Sequence, residues 1–469
     1  MIDTFAIRCN VLKLAFSGQL SQHEVEDGAI DDLLKRVNPN REIKQSEAGP
    51  YEIPENWAWV KLEDLYEINP KVEAADDTDA AFIPMERISA GFSDSFTFEV
   101  QKWSAASKNH TRFADGDVAF AKISPCFENR KSFIATGLPN EIGGGTTELI
   151  ILRQKEMLLR FTYYVTLDQR FIHEGVASYK GTVGQQRVKS DVIKNYMVAV
   201  PPKEEQQRII EKIESIFSAL DTIDTLQSQY QDNLATLKSK IIDAGIQGKL
   251  TEQLPEDGNA EELYQQIQRE RKSQEASGKI KKEDLFPDIE DQSIPFSVPK
   301  TWLWTYLGNV SYIVRGGSPR PIKQYITHDT NGINWIKIGD VEKGGKYIYQ
   351  TNERISPEGE KKSRRVYPGD FLLTNSMSFG RPYISQIEGC IHDGWLLIRN
   401  LNGFDPDYLY YLLSSSYLYG QFTEKASGST VDNLNIDKVK SAMIPLPPLA
   451  EQKRIVAKLE ELLPLCEGK

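Results

Sequence analysis

The chain has 469 residues and a formal net charge of −11, with 56 Lys and Arg against 67 Asp and Glu. That balance argues against phosphate neutralisation along the whole surface, and no apolar window of about 18 residues suggests a membrane-spanning helix. Four scattered cysteines, Cys9, Cys126, Cys390 and Cys466, form no CxxC pair, which fits a reducing cytoplasm and not a disulfide framework or zinc ribbon.

The first 20 residues include an apolar-periodic stretch, RCNVLKLAFSGQL at 8–20. Asp3 precedes it and no small-residue cleavage site follows, a poor match to a secretory leader. A globular part comes next, with strand-like runs at 118–123 and 148–152 and an aromatic helical run at 161–167. Pro201 and Pro202 then precede Glu204 and Glu205, a helix entrance with carboxylates at the positive end of its dipole. Apolar residues recur at Ile209, Ile213, Ile216, Leu220, Ile223, Leu226, Tyr230, Leu234, Leu237 and Ile241, with no proline or glycine before Gly245. Those steps of three and four predict one helix of about 40 residues, roughly 60 Å long. Its narrow seam requires an antiparallel or partner helix. The polar, charged stretch 251–298 reads as a short helix and a flexible linker. A second globular part has strand-like runs at 335–338, 370–374 and 395–399, then an aromatic helix at 407–413. Both parts read as mixed α+β.

The chain repeats itself. MVAVPPKEEQQRIIEKIESIF at 197–217 returns as MIPLPPLAEQKRIVAKLEELL at 443–463, an offset of 246 (443 − 197). Pro54, Trp57, Trp59 and Leu62 return as Pro299, Trp302, Trp304 and Leu307, an offset of 245 (302 − 57). Leu12, Phe16, Gly18, Leu20 and Asp27-Gly28 match Ile242, Ile246, Gly248, Leu250 and Asp257-Gly258 at an offset of 230 (257 − 27). The second copy therefore ends with the first half of a helix whose second half opens the chain. This is a circularly permuted internal duplication, and the two ends are expected to complete a helix antiparallel to the central one. The expected divisions are 1–50, a helical segment; 51–202, a first recognition domain; 203–292, the central helix and linker; 293–448, a second recognition domain; and 449–469, a helix start.

Catalytic constellations are missing. Asn69-Pro70-Lys71-Val72 lacks the second proline and the aromatic of an adenine-methylase loop, and reads as a turn. Gly143-Gly144-Gly145-Thr146 lacks the Gly-Lys-Ser/Thr ending of a phosphate loop, and reads as a plain loop. The five histidines show no metal-ligand pairing.

The PLPPLAEQKRI segment, its earlier echo, the Gly-x-Leu helix end and the Pro-x-x-Trp-x-Trp entry resemble the specificity subunit of type I restriction-modification systems. The resemblance covers nearly the whole chain. It implies two similar mixed α/β target-recognition domains separated by a pair of long antiparallel, coiled-coil helices. It also implies a non-catalytic cytoplasmic subunit that reads a bipartite, gapped site on double-stranded DNA. Two modification (methyltransferase) subunits, carrying S-adenosylmethionine, and restriction/translocase subunits would be the partners; no cofactor is expected on this chain. The acidic charge favours a rival reading, a pseudo-dimeric scaffold that binds two protein copies without touching DNA.

Base reading needs Arg or Lys toward guanine and Asn or Gln toward adenine, with hydroxyls on phosphates, and loops suit the task. The candidates in the first globular part are Lys122, Ser124, Asn129, Arg130 and Lys131, then Lys180, Thr182, Gln185, Gln186 and Arg187. In the second they are Arg315, Ser318 and Arg320; Asn375, Ser376 and Arg381; and Ser429, Thr430, Asn433 and Asn435. Lys361, Lys362, Arg364 and Arg365 are expected on phosphates. Trp57, Trp59, Trp302 and Trp304 are expected in cores at the domain entries.

Overall fold

One helix, Lys203–Ile246, runs unbroken for 44 residues, about 66 Å at 1.5 Å per residue. The computed structural model describes residues 1–28, 30–37, 49–182, 184–342, 344–375, 380–424 and 434–467. Two compact units, residues 1–228 and 229–469, divide the chain within that helix.

In the first unit, Ala58–Lys61 pairs antiparallel with Met197–Val200, so the strand entering the globular part lies beside the strand leaving it. Between them lie two four-stranded sheets. One has the order Tyr66–Ile68, Leu149–Gln154, Val118–Ala121, Ser132–Ile134. The other has Glu99–Lys102, Asp79–Ile83, Ile142–Gly145, Thr111–Ala114. The triple glycine is thus a strand and not the expected loop. A Cβ on Gly144 would stand 1.9 Å from the Ala106 carbonyl oxygen, so absence of side chain is what lets the helix Trp103–Ala106 lie against this sheet. The second unit repeats the plan. Leu303–Tyr306 pairs with Met443–Leu446, and two five-stranded sheets follow.

Each unit has its own antiparallel helix pair. The helix Thr4–Phe16 lies along the first half of the long helix. Thr4 Oγ1 donates to Asp224 (2.5 Å) and Arg8 to Asp221 (2.5 Å). In the second unit the last half of the long helix takes that place beside Leu449–Leu462, whose Ile455 and Leu459 approach Gly245. Lys238 pairs with Glu467 at 3.6 Å; these residues sit at the offsets of Arg8 and Asp221, 230 and 246. The apolar seam is buried at Ile209, Ile213 and Leu220, whereas Leu226, Tyr230 and Leu237 are exposed.

The repeated words of the sequence prove to be partners of one another. Glu205, fully buried, accepts from Trp57 Nε1 (2.9 Å) and Ser21 Oγ (2.7 Å). Glu451, equally buried, accepts from Trp302 Nε1 (2.7 Å) and Thr251 Oγ1 (3.0 Å). Arg208 forks onto Asp27 with both bonds at 2.6 Å, and Arg454 does the same to Asp257. Gln206 and Gln452 each donate back to the carbonyl of the first proline of their Pro-Pro pair. Inside the sheets, Arg153 forks onto Asp117 and Arg399 onto Asp370. Trp57, Trp59 and Trp302 are buried, as core residues should be.

One node differs between the copies. In the first unit, buried Asp168 accepts from the Tyr196 hydroxyl (3.1 Å), and Arg170 lies over the Tyr196 ring (4.1 Å) while donating to the Met197 carbonyl. In the second, Ser415 replaces the carboxylate, and the Tyr417 hydroxyl donates to the Met443 carbonyl at 2.9 Å.

Residues 251–298 are more ordered than a flexible linker. Ala260–Ala276 is a 17-residue helix that buries Ala260, Leu263, Ile267 and Arg271, one side at helical spacing. Its continuation is tied down by Phe286 N–H on Asn309 (2.9 Å) and Lys440 on Glu283 (2.8 Å).

Candidate nucleic-acid interface

In the first unit several strand ends converge on one basic cleft of ≈ 280 Å³. Asn69, in the left-handed region (φ 52°), turns the chain after Tyr66–Ile68 and accepts the Ile151 N–H through its side chain (3.0 Å). Lys71 follows that turn. Arg112, on Thr111–Ala114, rests over Trp103, 5.7 Å from the ring centroid. Lys122 leaves the end of Val118–Ala121. With His110 these residues line the cleft.

The loop 180–187 is seated beside it. Lys180 and Arg187 exchange backbone hydrogen bonds (3.1 and 2.9 Å), and Gly181 and Gly184 take the positive φ that closes so short a turn. Ser124 N–H donates to the Gln186 carbonyl (2.8 Å) and Val188 N–H to that of Lys122 (3.0 Å). Arg187 forks onto Glu148 at 2.8 and 2.7 Å. That guanidinium, helped by Lys122, holds the Glu148 carboxyl below its usual range. Lys180, Thr182 and Gln185 stay exposed.

The second unit builds its site at the equivalent place. Leu434 N–H donates to the Asn375 carbonyl at 2.9 Å, repeating the bond from Val188 to Lys122. Arg315 ends the strand Ser311–Arg315, and Arg364 opens Arg364–Val366 and reaches the Arg315 carbonyl at 3.5 Å. Asp393 organises the turn. Its carboxylate accepts from Ser318 Oγ (2.7 Å) and Arg320 (3.2 Å), and its carbonyl accepts from Arg315 Nε (3.1 Å) and Asn375 Nδ2 (2.8 Å). The hydrogen bond from Ser318 leads in holding the Asp393 carboxyl below its usual range, with Arg320 adding to it. Burial lowers the neighbouring His392.

The structure therefore gathers Lys122, Lys180, Thr182, Gln185, Gln186 and Arg187 in one unit, and Arg315, Ser318, Arg320 and Arg364 in the other. Other candidates are used elsewhere. Arg130 is buried, donates to the Leu167 carbonyl (3.0 Å) and to Gln169, and lies over Phe5 and Phe92; it is a strut within the unit, not a base reader. Asn375 is buried, with its amide committed to Asp393. Arg365 is paired with Glu360 and Glu388, which neutralises it as a phosphate contact. Lys131 binds the Met85 carbonyl (2.8 Å), Ser124 binds Glu128 (3.0 Å), and Asn435 caps the helix Ile436–Lys440. Asn129, Lys361, Lys362 and Arg381 are exposed, Lys362 touching the Tyr325 hydroxyl (2.6 Å). Ser376, Ser429, Thr430 and Asn433 lie outside the described residues.

Sequence reasoning passed over Lys71, His110 and Arg112. Lys71 sat in a word weighed only as a failed methylase loop. A signal did exist: Asn69 and Arg315 share the 246 offset (315 − 69). Among the described residues no cluster of His, Cys, Asp and Glu could hold a metal, and no helix is long and apolar enough to cross a membrane.

The model of the type I restriction modification DNA specificity domain matches this chain twice, at residues 54–231 and 299–466. The specificity subunit of the type I restriction enzyme EcoAI from Escherichia coli is 28% identical over 548 aligned positions, covering 99% of this chain and 90% of that subunit. The EcoEI specificity subunit from Escherichia coli is also 28% identical, over 544 positions, with the same coverage. A solved structure described as the basis of complex assembly and conformational transition of the type I R-M system superposes with a TM-score of 0.61 at 19% identity, covering 89% of this chain and 92% of that one.

Proposed function

This chain belongs to the type I restriction modification DNA specificity family, a specificity component and not a catalytic one, and from that premise we propose that it reads a bipartite, gapped target on double-stranded DNA in the cytoplasm. Each unit would read one half-site through the loops gathered at its basic strand ends. The observation that carries the reading is a division of labour between repeated and unrepeated residues. The buried locks are the same in both units, Glu205 with Trp57 and Glu451 with Trp302. The loops at the equivalent surface differ, KGTVGQQR at 180–187 against GSTVDNLN at 428–435. A fixed frame with variable loops is what two different half-sites require.

The same duplication supports anchoring of two methyltransferase subunits, which would bring S-adenosylmethionine, with restriction/translocase subunits joining them. Ile7 and Leu237, related by the 230 offset (237 − 7), are both exposed apolar residues on their helices. One partner type could therefore dock twice. The net charge of −11 favours the rival scaffold that never touches DNA.

Footprinting and methylation mapping of the complex with two modification subunits test both. A gapped site is expected, and deleting a heptad within 209–241 should change the gap. Binding should also weaken steeply with salt, because phosphate contacts release counterions. An unchanged gap would remove the ruler role, and a flat salt dependence would favour the scaffold.

A further inference from the structure

A carboxylate at a DNA-reading surface needs a reason, because it repels phosphate unless a cation neutralises it. Each unit has one at the same turn, just before Leu149–Gln154 and just before Trp395–Asn400. In the first unit it is Glu148 and in the second Asp393. Both carboxyls take an arginine from a candidate loop, but not from the same loop. Glu148 holds Arg187 and so fastens 180–187. Asp393 holds Ser318 and Arg320 and so fastens 315–320.

The geometry separates holding from reading. Arg187 spends Nε and Nη2 on Glu148, and its Nη1 donates to the Gln185 carbonyl at 3.2 Å. Its fork is saturated and has none of the bidentate capacity that guanine recognition needs. Lys180, Thr182 and Gln185, by contrast, are exposed on the loop that this fork pins. In the second unit Arg320 makes one bond to Asp393 at 3.2 Å and its side chain is 82% exposed. There the held arginine can still reach a ligand.

We infer, on the reading that each unit recognises one half-site, that Glu148 and Asp393 are positioning residues for sequence specificity, each orienting a different loop of its own unit. The carboxylate fixes where the loop's donors stand relative to the base edges. In the first unit, specificity comes from the pinned loop and Arg187 is a latch. In the second, Arg320 is both pinned and reading.

The test uses the full chain in complex with its modification subunits, assayed on a library in which each half-site carries single substitutions. Glu148→Gln should reduce discrimination by about tenfold at one or two positions of one half-site, the scale of a single base-pair preference. The other half-site should be untouched. Asp393→Asn should do the converse. Glu148→Asp, which keeps the carboxylate, should recover part of the loss, whereas Arg187→Lys, which cannot fork, should resemble Glu148→Gln. Unchanged discrimination in Glu148→Gln, or an equal loss at both half-sites, would overturn the inference. If the unmodified complex recognises no bipartite site, the failure belongs to the proposed function instead.

Discussion

Glu451→Ala tests the frame. The Glu451 side chain is fully buried and no cation touches it among the described residues; its partners are Trp302 Nε1 (2.7 Å), Thr251 Oγ1 (3.0 Å) and Gln253 Nε2 (2.7 Å). Thr251 and Gln253 reach solvent and can be rehydrated after truncation. Trp302 is 7% exposed, so its N–H would be stranded. A stranded buried donor costs about 1–3 kcal/mol, and hydrogen bonds to a charged group contribute about 1.5–3 kcal/mol net. The carboxylate's own burial is costly and offsets part of this. A net loss of about 3 kcal/mol follows. For a folding unit of this size that is a fall of roughly 6–12 °C in melting temperature.

The duplication supplies an internal control. Glu205→Ala should cost a similar amount in the first unit, where Trp57 Nε1 is likewise buried at 2.9 Å. His23 faces Glu205 at 2.6 Å, at the position Gln253 holds in the other copy. Glu451→Gln, which retains one acceptor for the indole, should lose about half as much as Glu451→Ala. Calorimetry of the full chain, with protease cleavage reporting which unit opens first, measures all three. A loss below about 1 kcal/mol for Glu451→Ala would show that the Trp–Glu node does not hold the helix start, and the reasoning from matched words to shared locks would fail.

Three further outcomes are expected. Arg208 and Arg454, by their hydrogen bonds, hold the Asp27 and Asp257 carboxyls below the ordinary value of 3.8; these depressed groups give stability that is complete above that value and is lost as pH falls through the folded one. The double variant Asp27→Asn, Asp257→Asn should therefore flatten the fall in denaturant midpoint below about pH 4, and an unaltered slope would contradict the linkage. Arg112→Ala and Lys122→Ala should each reduce the salt slope of DNA binding by about one and weaken all sequences alike; loss of a single base preference would make either residue a reader. Arg170→Ala should cost about 3–5 kcal/mol, because it leaves Asp168 buried beside no cation. The pair Arg170→Tyr, Asp168→Ser, which copies Tyr417 and Ser415, should cost less in the same melts, and a larger loss would refute the equivalence of the two nodes.

The repeats made the fold legible because they are the locks. Asp27-Gly28 and Asp257-Gly258 matched at one offset, and Arg208 and Arg454 at another; the structure joins each Asp to its Arg across 181 and 197 residues. Periodicity marked the long helix but could not say which part of its seam would be covered, since burial depends on what packs there. The expected strand at 118–123 stops at Ala121 because Ile123 pairs with Arg187 of a distant loop, a tertiary contact without local signal. Residues 251–298 were read as flexible from their charge, yet Leu263, Ile267 and Arg271 fall on one helix side, a pattern hidden by the polar residues around it.

The candidate site was harder to read for a related reason. A reading surface has to vary while its frame stays fixed, so repetition points away from it. Arg130 and Asn375 carried the right chemistry for DNA but lie in the frame, buried with committed partners. Lys71 and Arg112 looked like a turn and a strand residue, but the strand ends bring them to one cleft with Lys122. Composition and residue type can nominate donors; only the geometry of strand ends and the carboxylates that pin their loops decides which donors face outward. The acidic total charge is compatible with DNA reading on the same ground. Phosphate contacts need cations only where the duplex lies, and the acidic side chains at those ends, Glu148 and Asp393, are already paired with arginine.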